Sequence, residues 1–251
     1  AYKARMAELN KTINWKPRST GEGRFGNWLE NLVDWNLSRS RFWGTPLPIW
    51  RTADGEEELC IGSMAELNTE VDKAIAAGFM EALPENFDLH RPFVDNIVLV
   101  SKDGQKMFRE PDLIDVWFDS GAMPYAQWHY PFENNDIFEN AYPADFIAEG
   151  VDQTRGWFFT LHAIGVMLFD SVAFKTVVSN GLVLDANGKK MSKRLGNAIN
   201  PFEAIDQYGA DANRWYMISN SPPWDNLRFS LEGGVQEVSR KVFGTLFKTY
   251  S

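Results

Sequence analysis

Apolar residues recur at helical spacing from the start of the chain. Met6, Leu9 and Ile13 lie three and four positions apart, so residues 1–14 are expected to form a short amphipathic helix. Pro17 and the glycine-rich stretch 21–26 are expected to end it. A second helix is predicted from about Asn27, with Trp28, Leu29, Leu32, Val33 and Trp35 on its apolar side. Pro46 and Pro48 exclude a helix where they stand, and Ile49-Trp50 begin an extended segment. Thr69 to Gly78 predicts a short helix closed by its glycine. Ile97–Val100, Asp103-Gly104 and Met107-Phe108 predict a hairpin. Val116 and Phe118 alternate with Trp117 and Asp119, as a strand end turning at Ser120-Gly121 would.

The second half of the chain has a different rhythm. Phe146-Ile147-Ala148 is a compact apolar run, suited to a buried parallel strand. Trp157, Phe158, Leu161, Ile164 and Leu168 follow at helical spacing, with Asp152 placed to cap the helix start. Another strand is expected over 174–179, then Gly181–Leu184 and a turn at Asp185-Ala186-Asn187-Gly188. Helices open near Pro201 and Asp211, and Val235, Val238, Val242, Leu246 and Tyr250 form a late helical stripe. Strand, helix and strand in succession predict an α/β fold with a parallel sheet.

Composition sharpens this picture only in places. The chain has 251 residues and is 44 % apolar, which excludes a disordered segment and allows a sizeable core. Its one cysteine, Cys60, excludes an internal disulfide and a cysteine-rich zinc site, so no protein-bound zinc is expected. No apolar run approaches the roughly 20 residues that span a bilayer, and the start has no signal-peptide pattern. Net charge is −9, which argues against broad nucleic-acid binding. Local phosphate binding survives that charge, because screening confines it to about 8–10 Å.

Against this acidic background, Lys189, Lys190, Lys193 and Arg194 crowd into the stretch 188–197, with no acid among them. Lysines follow phosphate oxygens as mobile point charges, and glycines let backbone N–H groups approach an anion. A generic lysine-rich loop is more often merely solvated. The second candidate is Glu149-Gly150-Val151-Asp152-Gln153, at a predicted strand end and helix start, where open α/β sheets bind ligands. Its two acids can serve as an acid/base pair, a metal site, or acceptors for an ammonium group and a ribose. His162 stands in a mid-helix His-Ala-Ile-Gly and is read as a helix residue facing the core or a neighbouring element. His90, near Pro92, is read as a turn or surface residue.

Three ordered motifs carry a resemblance. Lys190-Met191-Ser192-Lys193-Arg194, followed by Leu195-Gly196-Asn197, resembles the second signature of the class I aminoacyl-tRNA synthetases, usually Lys-Met-Ser-Lys-Ser. Arg194 stands where that signature ends in serine. The segment 26–50, through Arg41-Phe42-Trp43-Gly44-Thr45-Pro46, resembles the stretch that follows the large editing insertion in the isoleucyl, valyl and leucyl branches. Glu149 to Phe158 resembles the isoleucyl branch in particular. The lysine loop ending in arginine and Asn14-Trp15-Lys16-Pro17 resemble the eukaryotic-type branch, which some bacteria share. The first signature, His-Ile-Gly-His, does not occur in the sequence.

The resemblance implies the second half of a Rossmann-like catalytic domain with a small appendage. Its divisions are 1–50 after the editing insertion, a hairpin appendage at 51–110, the half-fold at 111–187, the lysine loop and following helices at 188–230, and a first anticodon-domain helix at 231–251. It implies ATP, with Mg²⁺, and isoleucine as substrates, an isoleucyl-adenylate intermediate, and transfer to tRNA(Ile). Lys190 and Lys193 would meet the phosphates, and Ser192 would shape the ATP-binding loop. Glu149, Gly150, Asp152 and Gln153 would hold the adenylate's amino group and ribose. Trp117 and Trp157 would wall the isoleucine side chain. A monomeric, cytoplasmic enzyme without membrane contact is implied. Both ends of the chain read as cut, so it is expected to be part of a longer protein and inactive alone. A non-catalytic nucleotide-binding module and an interaction scaffold remain the other readings.

Overall fold

A computed structural model describes residues 2–251, which divide into two compact units. The first unit comprises residues up to Leu32 together with Pro124–Ser251. Its opening helix α1 (Tyr2–Asn10) is shorter than the expected 1–14, because the chain turns into strand β1 (Asn14–Lys16). After Pro17 the glycine-rich stretch does not break the chain. It forms a wide π-type turn over Thr20–Phe25 that runs into helix α2 (Gly26–Glu30). Glycine is required at position 21 for packing, since a Cβ there would sit 2.2 Å from Cδ1 of Trp15.

Strand β2 (Ala144–Gly150), helix α3 (Trp157–Phe169) and strand β3 (Phe174–Asn180) form the expected parallel βαβ unit. The sheet order is β1-β3-β2, and Trp15, Val177 and Ile147 lie in one row. Met6, Trp15, Phe25, Leu29, Phe158, Phe174 and Val177 form the core with α3. Trp15 meets Phe25 at 5.0 Å and the Phe158 edge at 5.8 Å between centroids. His162 lies fully inside this core, with its Nε2 2.9 Å from the Met6 carbonyl oxygen. Burial lowers its pKa, against the pull of that carbonyl, so it is held neutral.

The apolar run in β2 differs from the buried strand expected. β2 pairs with β3 on one side only, and Phe146 remains 58 % exposed. Strand β4 (Val183–Leu184), helices α4 (Pro201–Tyr208) and α5 (Ala210–Ser219), and strand β5 (Leu227–Arg228) complete the unit with a helical segment from Leu231 to Tyr250. Along that last segment Val235 is buried, and Val238 and Phe243 pack on Ala212, Leu227 and Phe229. The expected stripe ends there, because Leu246 and Tyr250 are exposed.

The second unit, Val33–Met123, holds a four-stranded antiparallel sheet. Strands Val98–Val100 and Lys106–Arg109 are the predicted hairpin. The adjoining helix is Met64–Ala76, beginning before the expected Thr69. A reciprocal cap starts it: Ser63 Oγ accepts from the Glu66 N–H, and the Glu66 carboxylate accepts from the Gly62 N–H. Trp50, Leu67, Val71, Ile97, Leu99 and Met107 form the unit's core. The segment from Val116 is a helix, Val116–Ala126, and not the strand end its alternation suggested. Asp115 decides this locally, with Oδ1 accepting from the Trp117 N–H and its carbonyl from the Phe118 N–H. His90 is at the surface as expected, 2.7 Å from an Asp88 oxygen and stacked on Trp43. Among the described residues no helix is long and apolar enough to cross a membrane.

Candidate functional site

At the carboxyl end of the parallel sheet, Glu149 pairs in register with Ser179 and Gly150 with Asn180. A single 3₁₀ turn, Val151–Arg155, then leads into α3. Asp152 does not cap that helix as expected. The turn carries it too early, and Gln153 Oε1 accepts from the Trp157 N–H at 3.1 Å instead. The same amide donates to Asp152 Oδ2 at 3.0 Å, so the two side chains are held together. Gly150 leaves room for the Asp152 side chain, whose Oδ1 would lie 2.5 Å from a Cβ there. Glu149 and Asp152 are exposed and Gln153 half-buried, beyond the strand end. Trp157 is half-buried and packs against the core of the sheet and α3.

The lysine loop is built differently. Leu184 lies beside Lys190 in an antiparallel bridge, across a tight turn from Asp185 to Gly188. Gly188 has φ +79°, a left-handed value suited to glycine. Asp185 Oδ1 accepts from the N–H groups of Asn187 and Lys189, and Oδ2 accepts from Asn197 Nδ2 at 2.9 Å. Asn197 Nδ2 also reaches the Lys190 carbonyl, and its Oδ1 accepts from the Ser192 N–H at 2.9 Å. The Asn197 hydrogen bond, with the Lys189 N–H next, holds the Asp185 carboxyl below its ordinary pKa. Met191 anchors the loop in the cluster around Phe229. Lys189, Lys190, Lys193 and Arg194 all point into solvent, and none of them forms an ion pair among the described residues. The loop therefore displays four exposed cations, with the Asp185 carboxylate near enough to feel the Lys189 charge.

Both groups belong to the first unit, whereas Trp117 belongs to the second. There it lies 43 % exposed along a cleft of about 500 Å³ that Arg39, Arg41, Trp43, Asp115 and Asp119 also line. Asp115 is buried and accepts from Arg39 Nη2 at 2.6 Å and Trp35 Nε1 at 2.9 Å. Burial raises the pKa of Asp119, the Asp115 charge adds to the rise, and a hydrogen bond from Thr45 opposes it. Four further residues received no role in the sequence reading. Asp185 and Asn197 shape the lysine loop, and Arg24 donates to Thr154 in the turn after β2 at 2.9 Å. The spacing of Asp185 before a glycine turn carried a signal for the first; the pairing of Arg24 with Thr154, far apart in sequence, carried none.

The family description "tRNA synthetases class I (I, L, M and V)" matches residues 2–230. The chain belongs to this class I synthetase family. It is 73 % identical over 251 residues to the isoleucine–tRNA ligase of Cytophaga hutchinsonii, matching all of this chain and 22 % of that protein. The corresponding ligase of Bacteroides thetaiotaomicron is 66 % identical, and that of Thermus thermophilus 50 %; each match covers all of this chain and 23 % of the relative. This class I chain thus spans between a fifth and a quarter of the length of these relatives. Two solved structures share its fold. One is the ternary LeuRS–tRNA–LeuAMS complex of Agrobacterium radiobacter K84, with TM-score 0.63 and 22 % identity over 87 % of this chain and 29 % of that one. The other is Mycobacterium tuberculosis methionyl-tRNA synthetase with methionyl-adenylate, with TM-score 0.60 and 16 % identity over 98 % of this chain and 37 % of that one. The α/β fold of the class I catalytic domain is therefore established for this chain.

Proposed function

We propose that these residues are the adenylate-binding half of an isoleucine–tRNA ligase. The 73 % identity to such a ligase along the whole chain carries this reading. The reaction joins isoleucine's carboxylate to the α-phosphate of ATP, releasing pyrophosphate, and then moves the aminoacyl group to the terminal ribose of tRNA(Ile). Its physical demand is to bring two anions together and to stabilise charge growing on the leaving phosphates. Lys190 and Lys193 meet those phosphates, with ATP entering as its Mg²⁺ complex, and Ser192 helps to set the loop. Glu149 and Asp152 accept hydrogen bonds from the adenylate's ammonium and ribose hydroxyls, aided by Gln153. Gly150 leaves room for the ligand's backbone-side approach. Trp157 lines the isoleucine side chain. The exposed cations of the lysine loop and the acceptors beyond β2 suit those assignments.

The enzyme works as a cytoplasmic monomer, and its contacts with tRNA lie mainly outside this acidic segment. Residues 188–230 serve as the phosphate-handling part, 51–110 as an appendage, and 231–251 as the opening of the anticodon-binding part. Isoleucine-dependent exchange between pyrophosphate and ATP tests the assignment in the full-length protein. The exchange is expected to fall at least about a hundredfold in Lys193→Ala, in keeping with loss of a charge-stabilising donor. Unchanged exchange would remove Lys193 from the reaction. The 251 residues by themselves, which contain no His-Ile-Gly-His, are expected to show no exchange. Measurable exchange by the isolated chain would contradict that half-site assignment.

A further inference from the structure

The turn after β2 projects Asp152 and Gln153 beyond the sheet, and short exposed turns fray unless tied down. The segment from Thr20 to Glu30 supplies the tie. Gly21, Phe25 and Leu29 are four apart and buried, which fixes one face of that segment against the core. Arg24 and Trp28, also four apart, occupy a neighbouring face and both reach the turn. Arg24 Nε donates to Thr154 Oγ1 at 2.9 Å, and Arg155 lies 5.1 Å over the Trp28 ring. Trp28 also meets Phe159 of α3 edge-on at 6.2 Å.

Thr154 is the keystone of this contact. It is fully buried, and its hydroxyl both accepts from Arg24 and donates to the Val151 carbonyl at 2.7 Å. The hydroxyl thus closes the turn from inside while Arg24 sets its direction from outside. The residues fixed by this closure are Asp152 and Gln153, which lie between Val151 and Thr154 and are already joined to each other. Small misplacements of groups that position a reacting substrate cost large factors in rate.

We infer that Arg24 is a positioning residue for the reaction proposed above, acting through Thr154 on the turn that presents Asp152 and Gln153; this rests on the assignment of those two residues to the adenylate. Arg24 itself touches no substrate. The test is steady-state pyrophosphate–ATP exchange by the full-length protein, corrected for active-site titre so that loss of folded enzyme is removed. Arg24→Gln and Thr154→Val are each expected to lower kcat/KM about tenfold, the scale of one charge-assisted hydrogen bond. Thr154→Ser, which keeps the hydroxyl, is expected to restore most of that loss. In an Asp152→Ala background, Arg24→Gln is expected to cost less than about twofold more, because its effect runs through the turn. A second full tenfold loss in that background, or unchanged kcat/KM in Arg24→Gln, would overturn the role. Arg24 is exposed, so its variants keep the test available if Thr154→Val does not fold. Absence of isoleucine-dependent exchange in the unsubstituted protein would overturn the reaction itself and this role with it. Exchange that is present but insensitive to Arg24 would overturn this role alone.

Discussion

The turn after β2 and the lysine loop are both assigned to one ligand, yet they are held in opposite ways. The turn is tied to the core: Thr154 is buried, Gln153 caps α3, and Arg24 and Trp28 brace it from another helix. The lysine loop is tied mainly to itself, by Asp185 and Asn197, with its cations exposed and only Met191 seated in a cluster. The contrast fits two tasks. Reading an ammonium group and a ribose needs fixed acceptors, whereas following phosphates through bond breaking needs charge that can move.

The largest effect is expected from removing the support under the turn. Phe158 is fully buried between Trp15 and Phe174, so Phe158→Ala should cost about 3–5 kcal/mol of stability. Denaturant unfolding measures this, and a cost below about 1 kcal/mol would mean that α3 does not anchor the turn. Asn197→Ala should cost roughly 1 kcal/mol or less, because the freed groups turn to water. Amide exchange at Ser192 should nevertheless speed up markedly, while Thr154 and Trp157 stay protected. Equal acceleration in both segments would erase the distinction between them.

Gly150→Ala should change stability by no more than about 0.5 kcal/mol, since its φ of −64° and ψ of 153° suit alanine. Its methyl group must still displace Asp152, so stabilisation by an isoleucyl-adenylate analogue should be lost. Retained stabilisation would separate Asp152 from the ligand. The smallest effect is the response to acid. The Asp185 pKa is lowered below 3.8, so its ordering contribution is complete above that value and is lost as pH falls through the lower folded value. The Lys189 amide resonance should move in that acid range, while that of Thr154 stays put until the protein unfolds. A Lys189 shift centred above pH 5 would assign the change to another group.

Much of this division could be read in the residues themselves. Phe146–Ala148 and the spacing from Trp157 to Leu168 were enough to place a βαβ unit, and the order of residues 189–197 marked the cationic loop. β1 stayed hidden, because three residues with one buried side chain carry no usable alternation. The glycines at 21–26 read as a break, yet the stretch is helical, and Gly21 within it leaves the space that Trp15 fills. Residues 116–119 fit alternation as well as a helix, and Asp115 settled the matter through contacts with its own neighbours. The brace from Arg24 to Thr154 exists only after folding, so no local pattern announces it.

The most direct test of the two-part site is hydrogen exchange in the full-length protein with and without a non-hydrolysable isoleucyl-adenylate analogue. Protection should rise over residues 149–157 and 188–197, with the larger gain in the lysine loop. The valyl and methionyl analogues should give weaker effects. Protection that leaves both segments unchanged, or that is equal for all three analogues, would contradict the assignment of these residues to isoleucyl-adenylate.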